Sequence, residues 1–131
     1  MSVRVGILTC SDRGARGKTE DTAGAYLKSA VAAMGWQVAE YAVVADVAKT
    51  ILATLRAWCD KKKLDLILTC GGTGFGPRDV TPEATRSLLD REAPGLASAL
   101  IAEGLKNTPL AALSRGVSGQ RKSTLVVNLP G

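Results

Sequence analysis

The sequence contains no histidine among its 131 residues. This absence excludes Ser-His-Asp and Cys-His catalysis, a histidine general base and histidine-ligated zinc. Aromatic residues are scarce as well, at 4% of the chain, so no stacking platform for single-stranded nucleic acid is indicated. Any chemistry must therefore depend on carboxylates, hydroxyls, cations, backbone amides and bound ions.

Cysteines and long apolar runs are also few. Cys10, Cys59 and Cys70 show no metal-ligand spacing, and we expect them to be buried, reduced thiols. No apolar run approaches the roughly 20 residues that span a bilayer, so no membrane partner is expected. A strand-like run begins directly after the N-terminal residues and leaves no room for a signal peptide, which predicts a cytoplasmic protein.

The formal net charge is +5, which suits either nucleic acid or a small anionic substrate. The basic residues are scattered, and the run Lys61–Lys63 follows a helical pattern, where a helix C-terminus explains it. We therefore expect no nucleic-acid partner and favour an anionic small molecule.

Hydrophobic periodicity predicts one α/β domain over residues 1–131. Hydrophobic residues make up 46% of the chain and charged residues 22%, as in ordinary globular proteins. Because strands and helices alternate, we predict a largely parallel sheet with helices on both faces. The predicted strands are 3–10, 36–44, 65–69 and 123–129; helices begin near Asp21, Asp46, Thr81 and Gly95; residues 12–20 are predicted as a loop.

Three predicted strands end in polar or glycine-bearing turns, which in a parallel sheet meet at one edge, where ligands bind. The richest turn is Gly71–Gly76, with four glycines in six residues, which lets backbone amides approach a phosphate. Thr81 is predicted as the N-cap of the next helix and Pro82 as its first residue, and Arg78 adds a cation. The spacing matches neither a Walker A loop nor a dinucleotide G-x-G-x-x-G motif.

Two carboxylates follow predicted strands that, if parallel, end at the same edge of the sheet, and they are candidates for one magnesium site. Asp46 follows the second strand and Asp79 follows the glycine-rich turn. Magnesium is typically held by one or two carboxylates together with substrate phosphates. Simpler roles remain open: Asp46 could cap its own helix, and Asp79 could form a local turn or cap. Asp12 is interpreted as a partner of a loop amide, and Asp21 as a helix cap.

Several segments together resemble the MogA/MoaB family, which includes molybdopterin adenylyltransferases and gephyrin-type domains. The resemblance covers essentially the whole chain, and its most specific block is the glycine-rich turn with the residues that follow it. It rests on Ser11-Asp12-Arg13 with Gly17, Asp21 and Gly24; on 65–74 with Arg78-Asp79-Val80-Thr81-Pro82-Glu83-Ala84-Thr85; on Ser114-Arg115 with Gly119; and on Asn128–Gly131.

The resemblance implies a three-layer α/β/α fold, assembly as a trimer or a hexamer, and ATP and molybdopterin as substrates with Mg²⁺ as cofactor. It matches Asp46 and Asp79 to the family's catalytic acids, with Arg78 or Arg115 screening charge. It also implies that a further turn and helix of the family are absent after Gly131. The positions matched to the substrate pocket are Ser11, Asp12, Gly71, Gly72, Thr73, Gly74, Arg78, Thr81, Pro82, Glu83, Ser114, Arg115, Pro130 and Gly131.

The implied reaction is adenylyl transfer in the cytoplasm, within molybdenum cofactor biosynthesis and alongside other proteins of that synthesis. Its nucleophile is a phosphate that is already anionic, so no strong base is needed, and positioning and charge stabilisation suffice. Two alternatives stay open: a non-catalytic molybdopterin carrier and a scaffold on the same fold. A second carboxylate near phosphate favours the enzyme, because a mere binder of anions gains nothing from it.

Overall fold

The structure is a computed structural model that describes residues 2–130. Strands and helices alternate along most of the chain, as the periodicity predicts. The strands are β1 (Arg4–Cys10), β2 (Gln37–Val44), β3 (Leu66–Cys70), β4 (Arg91–Glu92), β5 (Ser118–Arg121) and β6 (Thr124–Asn128). The helices are α1 (Asp12–Ala15), α2 (Thr22–Ala33), α3 (Ala48–Asp60), α4 (Thr81–Leu88), α5 (Pro94–Leu105) and a 3-10 helix (Pro109–Leu113).

The strands form one mixed sheet in the order β2-β1-β3-β6-β5-β4. The first four strands of this order are parallel, whereas β5 and β4 are antiparallel to their neighbours. The prediction of a largely parallel sheet is confirmed. The ends of β1, β3 and β6 lie side by side, since Thr9 pairs with Cys70 and Thr69 pairs with Asn128. One edge of the sheet thus carries the turns that the sequence singles out.

Helices cover both faces of the sheet, which confirms the three-layer prediction. Successive residues of a strand point to opposite faces, so each strand contributes to both cores. The larger core joins the sheet to α3 and α4, and the smaller core joins it to α2. The larger includes Leu8, Ile51, Leu55, Ile67, Leu88 and Val126, and the smaller Val5, Ile7 and Val31, all at most 3% exposed.

The structure corrects the sequence predictions at two helix starts. Helix α3 begins at Ala48 with Val47 as its N-cap, so Asp46 does not cap that helix. Helix α4 has Val80 as its N-cap, which makes Thr81 the first helical residue rather than the cap. The side chains of Asp46 and Thr81 are therefore not used for capping and remain available for other contacts.

Four short elements were not predicted: α1, β4, β5 and the 3-10 helix. The segment predicted as a loop, 12–20, opens with the single-turn helix α1, whose cap Ser11 accepts the Gly14 amide at 3.0 Å. Strands β4 and β5 are short and polar, so they carry no hydrophobic period, and their pairing arises from tertiary contact. The hairpin from β5 to β6 turns at Lys122, whose φ is +51°.

Two minor predictions are confirmed. The three cysteines are free and buried, and the run of lysines begins at the C-cap of α3. No helix within residues 2–130 is long and apolar enough to cross a membrane.

Candidate functional site

The glycine-rich turn after β3 requires glycine at its first two positions. Gly71 and Gly72 adopt φ values of +92° and +71°, a left-handed region that other residues rarely occupy. A Cβ atom on Gly71 would collide with the Cys10 carbonyl, and one on Gly72 would collide with the Thr81 hydroxyl. The backbone of the turn therefore packs directly against the end of β1 and the start of α4.

Two buried oxygen atoms beside this turn lack hydrogen-bond partners in the described part of the chain: Oδ1 of Asp46 and Oγ1 of Thr81. Both border Gly72, at which a Cβ would lie only 3.4 Å from Asp46 Oδ1. An unsatisfied buried polar group costs about 1–3 kcal/mol. Such atoms lying together at the ligand-binding edge of a parallel sheet indicate a place prepared for a ligand that supplies the missing contacts.

Asp46 is held by reciprocal hydrogen bonds with Asp12, the first residue of α1. The Asp12 amide donates to Asp46 Oδ2 at 2.9 Å, and the Asp46 amide donates to Asp12 Oδ1 at 2.9 Å. Asp12 thus binds a loop amide, as the sequence suggests. Burial raises the pKa of Asp46, and the negative charges of Asp12 and Asp79 raise it further. A cation would relieve this repulsion.

Asp79 lies on the opposite side of the turn and shapes it. Its Oδ2 accepts the Gly76 amide at 2.9 Å, and its own amide donates to the Gly76 carbonyl at 3.0 Å. The predicted role as a turn former is therefore present. Because its charge acts on Asp46, the two carboxylates lie at the same edge, as the parallel topology requires.

The residues at this edge fit a magnesium ion only in part. Asp46 contributes a buried oxygen without a partner, and hard carboxylate oxygens suit magnesium. No group of three or more His, Cys, Asp or Glu within residues 2–130 could hold a metal. A magnesium ion would therefore need substrate phosphates and water to complete its coordination, which is how nucleotide sites commonly hold it.

Arg78 crosses from the glycine-rich turn to the loop after β1. Its guanidinium donates to both carboxylate oxygens of Asp12, at 3.0 and 2.9 Å. This fork lowers the pKa of Asp12 below its ordinary value, with the hydrogen bonds from Arg78 as the main cause. Arg78 is still 60% exposed at the side chain, so the cation lies at the rim of the site.

Arg115 and Glu83 form an ion pair beneath the turn, at 2.6 Å between Nη1 and Oε2. The same guanidinium also reaches carbonyls of the turn. Pro82 is buried inside α4, where it supports the helix start. These residues thus lie next to the turn that the sequence assigns to substrate, and most of the contacts of Arg115 are with the protein itself.

The remaining predicted residues surround the turn at two places. Ser11 caps α1 with its hydroxyl. A cavity of about 180 Å³ beside the turn is lined by Thr73, Gly74, Ser114 and Pro130, together with Leu110, Ala111 and Leu113 of the 3-10 helix. The predicted residue Gly131 lies outside the described residues.

Sequence reasoning overlooked a buried polar network below the turn. The Asn128 amide donates to Thr69 at 2.9 Å and to Thr85 at 3.0 Å, and its carbonyl accepts the Val117 amide at 3.1 Å. The network joins β6, β3, α4 and the segment before β5. The available signal was Thr69 inside the otherwise apolar strand β3.

A second overlooked cluster surrounds Asp21 at the start of α2. Its carboxylate caps the helix through the Gly24 amide at 3.0 Å, as predicted, and also accepts the hydroxyls of Thr9 and Tyr41. Burial, followed by the hydrogen bond and charge of Asp21, raises the pKa of Tyr41 to about 12. With these donors around it, Asp21 joins α2 to β1 and β2.

The fold and the site together define an α/β domain whose glycine-rich sheet edge, with two carboxylates beside it, suits a phosphorylated ligand. A family model described as a probable molybdopterin binding domain matches residues 6–131. The chain belongs to this family, the MogA/MoaB family of molybdenum cofactor biosynthesis proteins.

Solved structures and curated sequences agree with this assignment. The chain is similar to MoaB from Thermus thermophilus, at 55% identity and a TM-score of 0.92 over 98% of this chain and 81% of that one. It is 36% identical to a molybdopterin adenylyltransferase of Helicobacter pylori J99, over 99% of this chain and 75% of the relative. It is 44% identical to the Drosophila melanogaster molybdenum cofactor synthesis protein cinnamon, over 99% of this chain but only 22% of that protein.

Proposed function

We propose that this protein is a molybdopterin adenylyltransferase that uses ATP with Mg²⁺. The observation that carries the proposal is the pair of unpartnered buried oxygens, Asp46 Oδ1 and Thr81 Oγ1, beside a glycine-rich turn that Asp79 shapes. Relatives from several bacteria that are 36% identical to this chain bear the name molybdopterin adenylyltransferase, which supports the same activity.

In the proposed reaction, an oxygen of the terminal phosphate of molybdopterin forms a bond to the α-phosphorus of ATP. The bond from that phosphorus to the bridging oxygen breaks, and pyrophosphate leaves with the electron pair. No proton needs to be removed from the nucleophile, so the absence of histidine is no obstacle. The protein's task is to hold the two anionic substrates in line and to stabilise charge.

Each part of the edge has a role in this task. The backbone of Gly71–Gly74 approaches a phosphate group closely. Glycine at the first two positions allows this backbone to pack against Cys10 and Thr81, which fixes its place. Thr81 donates its free hydroxyl to a phosphate oxygen. Asp46 and Asp79 would hold magnesium, which when bound would offset the charge of the phosphates and of the carboxylates together. Arg78 faces the rim, where a long polyphosphate leaves the cleft.

The direct test is incubation of the purified protein with ATP, magnesium and molybdopterin, with detection of the adenylylated pterin and pyrophosphate. Asp79→Asn should cut turnover by at least about a hundredfold while the fold is retained, on the scale of lost transition-state stabilisation. Asp46→Asn should act in the same direction. Pterin binding without any turnover in the wild type would instead favour the carrier or scaffold.

We also propose that the protein forms a homo-oligomer, a trimer or a hexamer. Helix α5 has the sequence PGLASALIAEGL, which is strongly apolar, yet none of its residues is buried in the single chain. Apolar surface of this extent is typical of a contact between subunits.

A further inference from the structure

Arg115 follows the 3-10 helix and donates to backbone carbonyls in the middle of the glycine-rich turn and in the segment just before α4. Its backbone amide donates to the Thr73 carbonyl at 2.9 Å, and its Nε donates to the Gly74 carbonyl at 2.7 Å. Its Nη2 donates to the Asp79 carbonyl at 2.8 Å. One residue therefore fixes the middle of the turn and the point where the chain approaches α4.

The guanidinium is itself anchored on α4. Nη1 lies 2.6 Å from Glu83 Oε2, and Nη2 lies 3.4 Å from Glu83 Oε1. This pairing raises the pKa of Arg115 and lowers that of Glu83, so both stay charged. An arginine fork of this kind has a fixed planar geometry, which a lysine ammonium on a flexible stem lacks.

These contacts leave little of Arg115 for a substrate. The side chain is 28% exposed, and four of its donor contacts go to carbonyls and to Glu83. Arg78, by contrast, is 60% exposed and contacts only one carboxylate through its fork. The family resemblance implies that Arg78 or Arg115 screens the negative charge of phosphate. These contacts favour Arg78 for that role and not Arg115.

We propose that Arg115 is a positioning residue that clamps the turn Thr73–Asp79 onto α4 and so sets the place of the Asp79 carboxylate in the ligand-free protein. The kinetic part of this inference rests on the proposed adenylyl transfer, whereas the structural part does not. Displacement of a reacting group by about 1 Å can cost about a hundredfold in rate. The clamp thus acts on catalysis without touching a substrate.

Hydrogen exchange in the ligand-free protein tests the structural part. The amides of Gly76 and Asp79 are protected by the bonds inside the turn, at 2.9 and 3.0 Å. In Arg115→Lys and Arg115→Ala, both amides should exchange at least about tenfold faster, because hydrogen bonds to a charged group are each worth roughly that factor. Glu83→Gln should give a smaller increase and keeps the test available if Arg115→Ala fails to fold.

Arg121 provides a matched control outside the site. It also clamps a carboxylate and a carbonyl, through Asp60 at 2.8 Å and Leu88 at 2.9 Å, and its side chain is 19% exposed. Arg121→Lys should lower stability yet leave exchange at Gly76 and Asp79 unchanged. Unchanged exchange at these amides in Arg115→Lys would overturn the proposal.

The kinetic arm compares turnover numbers and substrate affinities. Arg115→Lys and Arg115→Ala should both lose about a hundredfold in kcat, although lysine keeps the positive charge. Added guanidinium, at a concentration that does not denature the protein, should restore part of the exchange protection and part of the kcat of Arg115→Ala. Faster exchange with unchanged kcat would also overturn the positioning role. If the wild-type protein shows no adenylylation, the proposed function fails, and exchange still decides whether the clamp exists.

Discussion

Replacement of Thr81 by valine should stabilise the protein and weaken its ligand binding. The Thr81 side chain is fully buried, and its hydroxyl has no partner within the described structure. A polar neighbour is the thiol of Cys10, whose pKa is raised by burial to about 12, with a smaller opposing effect from Thr81. A thiol is a weak hydrogen-bonding group, so the hydroxyl remains essentially unsatisfied.

The size of the change in stability follows from the absence of a strong hydrogen-bond partner for the Thr81 hydroxyl. A buried polar group without a partner costs about 1–3 kcal/mol, and valine has nearly the same shape as threonine. Thr81→Val should therefore raise the free energy of unfolding by about 1 kcal/mol. For a domain of this size, that change corresponds to a rise in Tm of roughly 3–5 °C. ATP affinity should fall at the same time, since the hydroxyl is lost as a donor to phosphate.

Thr85→Val is the matched control, four residues along the same helix. Thr85 is buried to the same degree, but its hydroxyl accepts the Asn128 amide at 3.0 Å. Removal of that acceptor leaves the buried amide group of Asn128 short of one partner, so Thr85→Val should destabilise the protein by about 1–3 kcal/mol. The same substitution should thus raise the free energy of unfolding at Thr81 and lower it at Thr85.

Urea unfolding of the two variants and the wild type measures both effects, with the slope against urea expected to stay constant. Calorimetry of ATP in the presence of Mg²⁺ measures the binding change. If Thr81→Val destabilised the protein as much as Thr85→Val does, the Thr81 hydroxyl would have a partner in solution. The inference that the Thr81 hydroxyl is unpartnered until a ligand binds would then be wrong.

Three further predictions concern other parts of the molecule. ATP should bind weakly without Mg²⁺ and more strongly with it, as calorimetry can measure. In Asp79→Asn the gain in ATP affinity from Mg²⁺ should be smaller, while pterin affinity should change little. Equal ATP affinity in all conditions would contradict the metal site. Light scattering should show an oligomer that Leu105→Glu weakens, since Leu105 is 46% exposed on α5, and a wild-type monomer at micromolar concentration would refute this. Hydrogen bonds from Arg121 lower the pKa of Asp60 to about 2, so Asp60→Asn should lower the free energy of unfolding at pH 7. In urea unfolding, this loss of stability should shrink as the pH falls from about 4 towards 2. A loss of stability that did not depend on pH would exclude the charge of Asp60 as its cause.

The architecture could be predicted from the sequence because its signals are local. Strands such as β1 and β3 are continuous apolar runs, and α3 carries its apolar residues at helical spacing, so their types and order follow from period alone. Strands β4 and β5 carry no such pattern. β5 depends on pairing with β6 in a hairpin of polar sequence, and β4 on pairing with β5, which joins residues as distant as Arg91 and Gln120.

The candidate site also has a part that could be predicted from the sequence and a part that could not. Its position could be predicted, because the ends of parallel strands meet at one edge and the turn after β3 is rich in glycine. The partners of its charged groups could not. Asp12 and Asp46 are 34 residues apart, and the backbone amide of each donates to the carboxylate of the other. Arg78 reaches Asp12 across 66 residues. From the sequence alone Arg78 and Arg115 are therefore equivalent cations, although the structure gives them different contacts.

These contacts separate the groups that hold the edge from those that face a ligand. Arg115 is occupied by protein atoms, whereas Asp46 Oδ1 and Thr81 Oγ1 are desolvated and unpartnered. The unfavourable free energy of leaving such groups without partners is offset by the rest of the fold, and a ligand that bound them, as we propose, would recover it. The contacts that hold the edge, those of Arg115 with the turn and of Asp12 with Asp46, are already formed without a ligand. In a protein without histidine, an edge fixed in advance in this way is what adenylyl transfer between two anions requires.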